Sequence, residues 1–269
     1  MAGFMLKTTM IAAFVTVIGA ANPLLADEDG KDYQHSEEAQ EFIHGAPAVA
    51  SEAWLLAAGG RIYDKWWLAL DRDEPEGTNP AYPTDVNEKQ SGSGTWRCKE
   101  CHGWDYRGAE GVYQQGSHYT GIPGIDGSVG KPVEYIARML RDENHPYTTD
   151  MITDEEMLRV AAFVSRGQVD MRTFMNPETR EMLDDVADTD RGRDIFQTTC
   201  AACHGFDGSA MDWGGDTPAY IGIEASELPD EVFNKIYNAH PGVAMINLRA
   251  FSLQDAVNVL AYSATLPVD

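Results

Sequence analysis

The sequence predicts an all-α protein built as two tandem helical units, the first carrying a long loop insertion. Two observations lead there. Apolar residues recur at helical spacing in several short segments, and one pentapeptide with its flanking pattern occurs twice in the chain.

The opening residues read as a targeting segment. Lys7 precedes an apolar run from Met10 to Ala21, which Asn22-Pro23 breaks before the small residue Ala26. A 12-residue run rises about 18 Å as a helix, short of a bilayer core of about 30 Å. Residues 1–26 are therefore expected to be a signal peptide, cut before Asp27-Glu28-Asp29, with an uncleaved anchor as the alternative. Residues 27–49 form an acidic lead-in, expected to be mobile. The mature chain is expected in the periplasm, without a stable membrane span.

The charge balance is lopsided, with 43 acidic residues against 20 basic ones and a formal net charge of −23. Such a chain repels nucleic acid and suits partners with basic docking faces.

All four cysteines lie in the repeated pentapeptide, Cys98-Lys-Glu-Cys101-His102 and Cys200-Ala-Ala-Cys203-His204. Thioredoxin-type disulfides would not need the histidines. A zinc site would normally bring its Cys pairs within about 15–20 residues of each other, whereas these pairs stand 102 apart. Haem attachment alone requires a histidine directly after the second cysteine. Two thiols three positions apart on a helical turn reach the two vinyl groups of one porphyrin, and the next imidazole meets the iron. Cys98, Cys101, Cys200 and Cys203 are thus candidates to hold two covalent haem c groups, with His102 and His204 as proximal ligands.

The flanks repeat as well. Gly59 to Trp67 and Gly192 to Phe196 both place an aromatic residue three or four positions after a glycine, near the end of a predicted helix. In the second copy that helix runs into Cys200. In the first, Leu68 to Arg97 intervenes, rich in Pro and Gly and expected to be an extended loop. Amphipathic helices are predicted over Pro132–Arg141 and Pro229–Asn238. The last helix of each unit begins at a cap, Thr153 with Glu156 in a capping-box pattern, and Ser252. Met139 and Met157 fall on apolar helix faces and are expected to pack. Residues 169–187 read as a linker with a short helix from Asn176, and His35, His44 and His118 as surface residues.

This order of helix, haem motif, Pro-containing loop, helix, Met loop and final helix resembles the class I cytochrome c family over residues 50–168 and 188–269. The resemblance implies that the first and last helices of each unit cross. It implies that Met151 and Met245 supply the sixth iron ligands, and that Pro123 and Pro218 carbonyls accept hydrogen bonds from the proximal imidazoles. His145 and His240, each followed by proline, compete for the sixth positions. Trp96, Trp104, Tyr106 and Trp213 flank the motifs and either line a haem edge or build core. The expected function is single-electron transfer between redox proteins, as a free carrier or an oxidoreductase subunit. The alternative is a dihaem enzyme of the peroxidase or sulfur-compound dehydrogenase type, with one open or labile iron.

Overall fold

Ser51 starts the first long helix by accepting a hydrogen bond from the Trp54 amide at 3.1 Å, so the chain enters α2 (Glu52–Ala69) with a satisfied end. A computed structural model describes residues 37–268, and the expected signal peptide lies outside the described residues. Within them the lead-in is not simply irregular. Glu37–His44 forms helix α1, which buries Ile43 and sets His44 Nδ1 3.2 Å from the Ala69 carbonyl.

The other helices follow as α3 (Cys98–His102), α4 (Val133–Met139), α5 (Asp154–Ala162), α6 (Thr189–Ile195), α7 (Ala201–His204), α8 (Ile221–Glu227), α9 (Pro229–Asn238) and α10 (Leu253–Ser263). Among the described residues there is no sheet, only two isolated bridges, Gly108 with Pro123 and Met175 with Met182. The capping box at Thr153 and Glu156 is formed in full, and Ser252 caps α10 as expected. Wider helical turns extend α5 through Phe163–Gly167 and α6 through Phe196–Cys200. The second of these delivers the chain directly into the second Cys-x-x-Cys-His motif.

Two helix crossings organise the structure, α2 against α5 and α6 against α10. Glycine makes both close. A Cβ added at Gly59 would overlap the Arg159 carbonyl on α5, and one at Gly192 would overlap the Asn258 carbonyl on α10. The glycine of each sequence repeat is therefore the point where one helix backbone rests on another. Its aromatic partner turns to the motif. Tyr63 packs against Tyr106 and Phe163 at ring separations of 5.6 and 5.5 Å and donates a 2.7 Å hydrogen bond to the Gly103 carbonyl. Phe196 packs on Tyr262 at 5.5 Å and lies 6.4 Å from the His204 ring.

Segment 169–187 departs from the expected linker helix. No α-helix forms from Asn176; a single turn at Met171–Thr173 and the Met175–Met182 bridge hold the chain instead. Met171, Phe174 and Met175 are buried, and Phe174 stacks against Phe233 of α9 at 4.8 Å. Apolar anchoring thus ties this segment into the core that both crossings share.

The seam between the crossings is polar and charged. Buried Asp64 of α2 accepts from Arg97 at 2.5 Å and also from Lys235 of α9. Burial works to raise its pKa, but Lys235 and Arg97 hold the carboxyl well below the usual carboxylate range. Tyr106 donates to Asn234 Oδ1 at 2.7 Å, while Asn234 donates to the Trp104 carbonyl at 3.0 Å. Trp104 is almost wholly buried, with Arg97, Lys99 and Lys235 over its ring at 5.2 to 5.8 Å.

Candidate haem sites

The first motif forms the short helix α3 and ends on Gly103, whose φ of 77° needs a residue without Cβ strain. The second ends the same way on Gly205, at φ 81°. Beyond each cap the loop folds back identically in register. Gly108 N–H donates to the His102 carbonyl at 2.8 Å, and Ala210 N–H to the His204 carbonyl at 3.0 Å, each six residues downstream. Neither paired feature follows from the Cys-x-x-Cys-His spacing; the glycine directly after each motif is the sequence signal that carries them.

None of the four cysteines forms a disulfide. Burial pushes the Cys98 thiol up to about 11, Cys101 up to about 12 and Cys200 up to about 11. A redox disulfide centre requires the opposite, a thiol stabilised as thiolate. Among the described residues no three His, Cys, Asp or Glu side chains gather where they could hold a metal ion. The two Cys pairs therefore do not meet in one four-thiolate site.

The histidines are set up as neutral ligands. His102 Nδ1 lies 3.0 Å from the Pro123 carbonyl. A carbonyl only accepts, so Nδ1 carries the proton and Nε2 keeps its lone pair for a metal. Burial lowers the His102 pKa to about 4, with the Pro123 bond opposing and His145 assisting. His204 is also lowered by burial, but its Nδ1 is buried without a hydrogen-bond partner. Pro218, expected to accept from it, is exposed instead; Trp213 lies beside the ring at 5.9 Å. Both motifs thus offer two unbridged thiols and one uncharged imidazole, the donor set that haem c takes.

The candidates for the sixth position separate. Met151 is half-buried and packs against the core, and Met245 is half-buried in the loop between α9 and α10. His145 stands with its ring centre 6.2 Å from that of His102, the planes inclined by 26°. His240 faces the charged seam, its Nδ1 2.9 Å from the Pro241 carbonyl. Burial lowers its pKa to about 3, with Lys235 adding to the effect and Asp64 opposing it.

Several flanking residues are placed differently from expectation. Met157 is buried as expected, but Met139 is 40% exposed. His118 is no free surface group; its Nδ1 pairs with buried Glu100 at 2.8 Å, and its ring stacks on Tyr113 at 4.7 Å. Trp96 and Tyr106 are core, whereas Trp213 stays beside His204. The insertion orders itself through Trp96 Nε1 to the Gly77 carbonyl (3.1 Å) and Asn87 Nδ2 to the Ser117 carbonyl (2.9 Å). Its buried Tyr82 has Glu100 and Cys101 as electrostatic neighbours, which puts the insertion against the first motif.

Residues 187–262 match the family model described as cytochrome C oxidase, cbb3-type, subunit III. The match supports a c-type cytochrome. It spans under a third of the chain and contains Cys200, Cys203, His204 and Met245. A cytochrome c domain implies covalently bound haem c and electron transfer by it, and such domains are typically exported. No curated protein matches the chain. Among the described residues no helix is long and apolar enough to cross a membrane.

The seam beside this c-type domain gives the protein an acid-sensitive element. An unfolded histidine binds a proton near pH 6.5, whereas folded His240 does so only at about 3. Its folded pKa is depressed, so the folded state loses stability as pH falls from about 6.5 towards 3. Asp105, which burial pushes up to about 6, acts oppositely between about pH 6 and 4. The His240→Gln variant isolates the first effect: between pH 7 and 5 its urea midpoint should fall less than wild type. Equal falls would contradict the assignment.

Proposed function

We propose that this chain is a periplasmic dihaem c-type cytochrome that carries single electrons between redox proteins. In this reading residues 50–168 and 188–269 are two class I cytochrome c domains, with 169–187 joining them. Cys98 and Cys101 attach one haem with His102 as proximal ligand. Cys200 and Cys203 attach the other, with His204 and Met245 on its iron. Haem supplies a one-electron centre whose potential depends on its axial ligands and surroundings.

The observation that carries the reading is the agreement of the two copies. Each has a helix-crossing glycine, an aromatic residue four positions on, unbridged thiols, a neutral histidine, a glycine cap and the same six-residue return bond. The matched domain contains one copy, and the other repeats it. The rest of the chain serves to hold and insulate: Pro123 fixes the His102 ring, and Tyr63 pins the end of its motif. The excess of acidic residues favours a donor or acceptor with a basic face, whether met transiently or held as a subunit.

Spectra of the holoprotein test the carrier against the enzyme reading. A carrier keeps both ferric haems low-spin with cyanide absent, and both ferrous haems unaltered by carbon monoxide. Rapid carbon monoxide binding at one haem would instead favour a dihaem enzyme with an open or labile iron.

A further inference from the structure

We infer that the iron held by the first motif is ligated by two imidazoles, His102 and His145, and that Met151 is a packing residue. The inference rests on the proposed attachment of haem at Cys98 and Cys101. Two imidazoles on one iron each place a nitrogen about 2 Å from the metal and the ring centre roughly 1 Å further. Their centres therefore stand about 6 Å apart. The observed separation is 6.2 Å. The observed ring-centre separation therefore matches the spacing that two imidazoles on one iron require.

Hydrogen bonding selects the nitrogen that each ring presents. His145 Nδ1 lies 3.1 Å from the Met139 carbonyl and 3.0 Å from Asp142 Oδ1. Both partners only accept, so the proton is on Nδ1 and the lone pair is on Nε2. His102 has the same arrangement through Pro123. Each ring is thus held by a partner on its far nitrogen, the arrangement that orients histidines on metals. Closing α4 at the Met139 carbonyl uses only Nδ1 and leaves Nε2 spare.

The competing residues point the same way. Met151 packs against the hydrophobic core. The second copy contains no equivalent pair. The rings beside His204 are Phe196 and Trp213, while His240 has its Nδ1 2.9 Å from the Pro241 carbonyl and has Lys235 and Asp64 as electrostatic neighbours. The two haems would then differ, one bis-histidine and one histidine–methionine, with the first at the lower potential because thioether ligation raises it.

Intact mass under denaturing conditions comes first, to count haems on the purified holoprotein and on each variant. Ferric electron paramagnetic resonance and near-infrared magnetic circular dichroism then identify the axial ligands. The expected wild-type result is one bis-imidazole signal and one sulfur-to-iron charge-transfer band. His145→Ala should remove the bis-imidazole signal and give one haem that recovers it on adding free imidazole. His145→Met should convert that signal to a second sulfur band and raise one potential, while Met151→Ala leaves all signals in place. Two haems with signals unaltered by His145→Ala, or a sulfur band lost in Met151→Ala, overturns the ligand assignment alone. Bare Cys98 and Cys101 in the mass spectrum overturn the first haem itself, and His145 ligation with it.

Discussion

Replacing Asp64 with alanine should lower the unfolding free energy of the holoprotein by about 3–5 kcal/mol, the range for removing one partner of a buried ion pair. Asp64 is 3% exposed and neutralises two cations that come from different parts of the fold. Arg97 directly precedes the first motif, and Lys235 lies on α9, 171 residues away from Asp64. Without the carboxylate, Arg97 retains its bond to the Asp64 backbone carbonyl at 2.8 Å, and Lys235 retains Glu231 at 3.8 Å. Neither contact replaces the buried carboxylate, so Arg97 and Lys235 are left over Trp104 with only the more distant Glu231 as counter-charge. Urea unfolding of wild type and Asp64→Ala measures the difference, and a loss below about 1 kcal/mol would place the pair among weak surface ion pairs. Asp64→Asn keeps the shape while removing the charge. It should recover only part of the loss.

Gly192→Ala should destabilise the protein by about 2 kcal/mol or more, against the sign expected at an exposed helical position. There, alanine gains up to about 1 kcal/mol over glycine. At Gly192 the added Cβ would stand 2.6 Å from the Asn258 carbonyl carbon and 2.9 Å from Tyr262 Cβ, and would overlap the Asn258 oxygen. These are backbone and inner side-chain atoms of α10, so no rotamer change relieves the overlap and the helices must separate. Overpacking of this kind typically costs about 1–3 kcal/mol and occasionally more. Gly59→Ala meets the same obstacle at Arg159 and Phe163 of the α2–α5 crossing. Thermal or urea denaturation of either variant decides the matter; stabilisation by Gly192→Ala would contradict a close α6–α10 crossing.

The comparison of these two sites explains what the sequence could reveal. Gly59 and Gly192 recur at matching places in a repeat, and their role depends on local helix spacing, so pattern reading finds them. The same holds for the Thr153 capping box and the amphipathic helix Pro229–Asn238, whose polar and apolar positions lie within three or four residues of each other. The Asp64–Lys235 pair could not be read that way, because nothing in the flanks of either residue indicates a partner so distant in sequence. Met171, Phe174 and Met175 were hidden for a related reason. A short irregular segment with mixed charge reads as a linker until the apolar surface of α9 is placed beside it. Helices α1 and α8 are only about two turns long, too short for periodicity to separate them from loop. At the candidate sites, the four thiols and the two motif histidines are legible as a donor set from spacing, and the His102 contact with Pro123 agrees with the resemblance. From sequence, His145 is only a competitor to Met151. Its Nδ1 partners and its distance from His102 are three-dimensional facts, and no spacing rule contains them.

We propose that one chain carries two haems, each held by one Cys-x-x-Cys-His motif. Intact mass under denaturing conditions tests it most directly, because thioether-bound haem stays on the polypeptide when the fold is lost. Two haem masses are expected on the wild-type chain and one on either Cys98→Ala/Cys101→Ala or Cys200→Ala/Cys203→Ala. A wild-type chain carrying a single haem, retained when Cys98 and Cys101 are replaced, would contradict it.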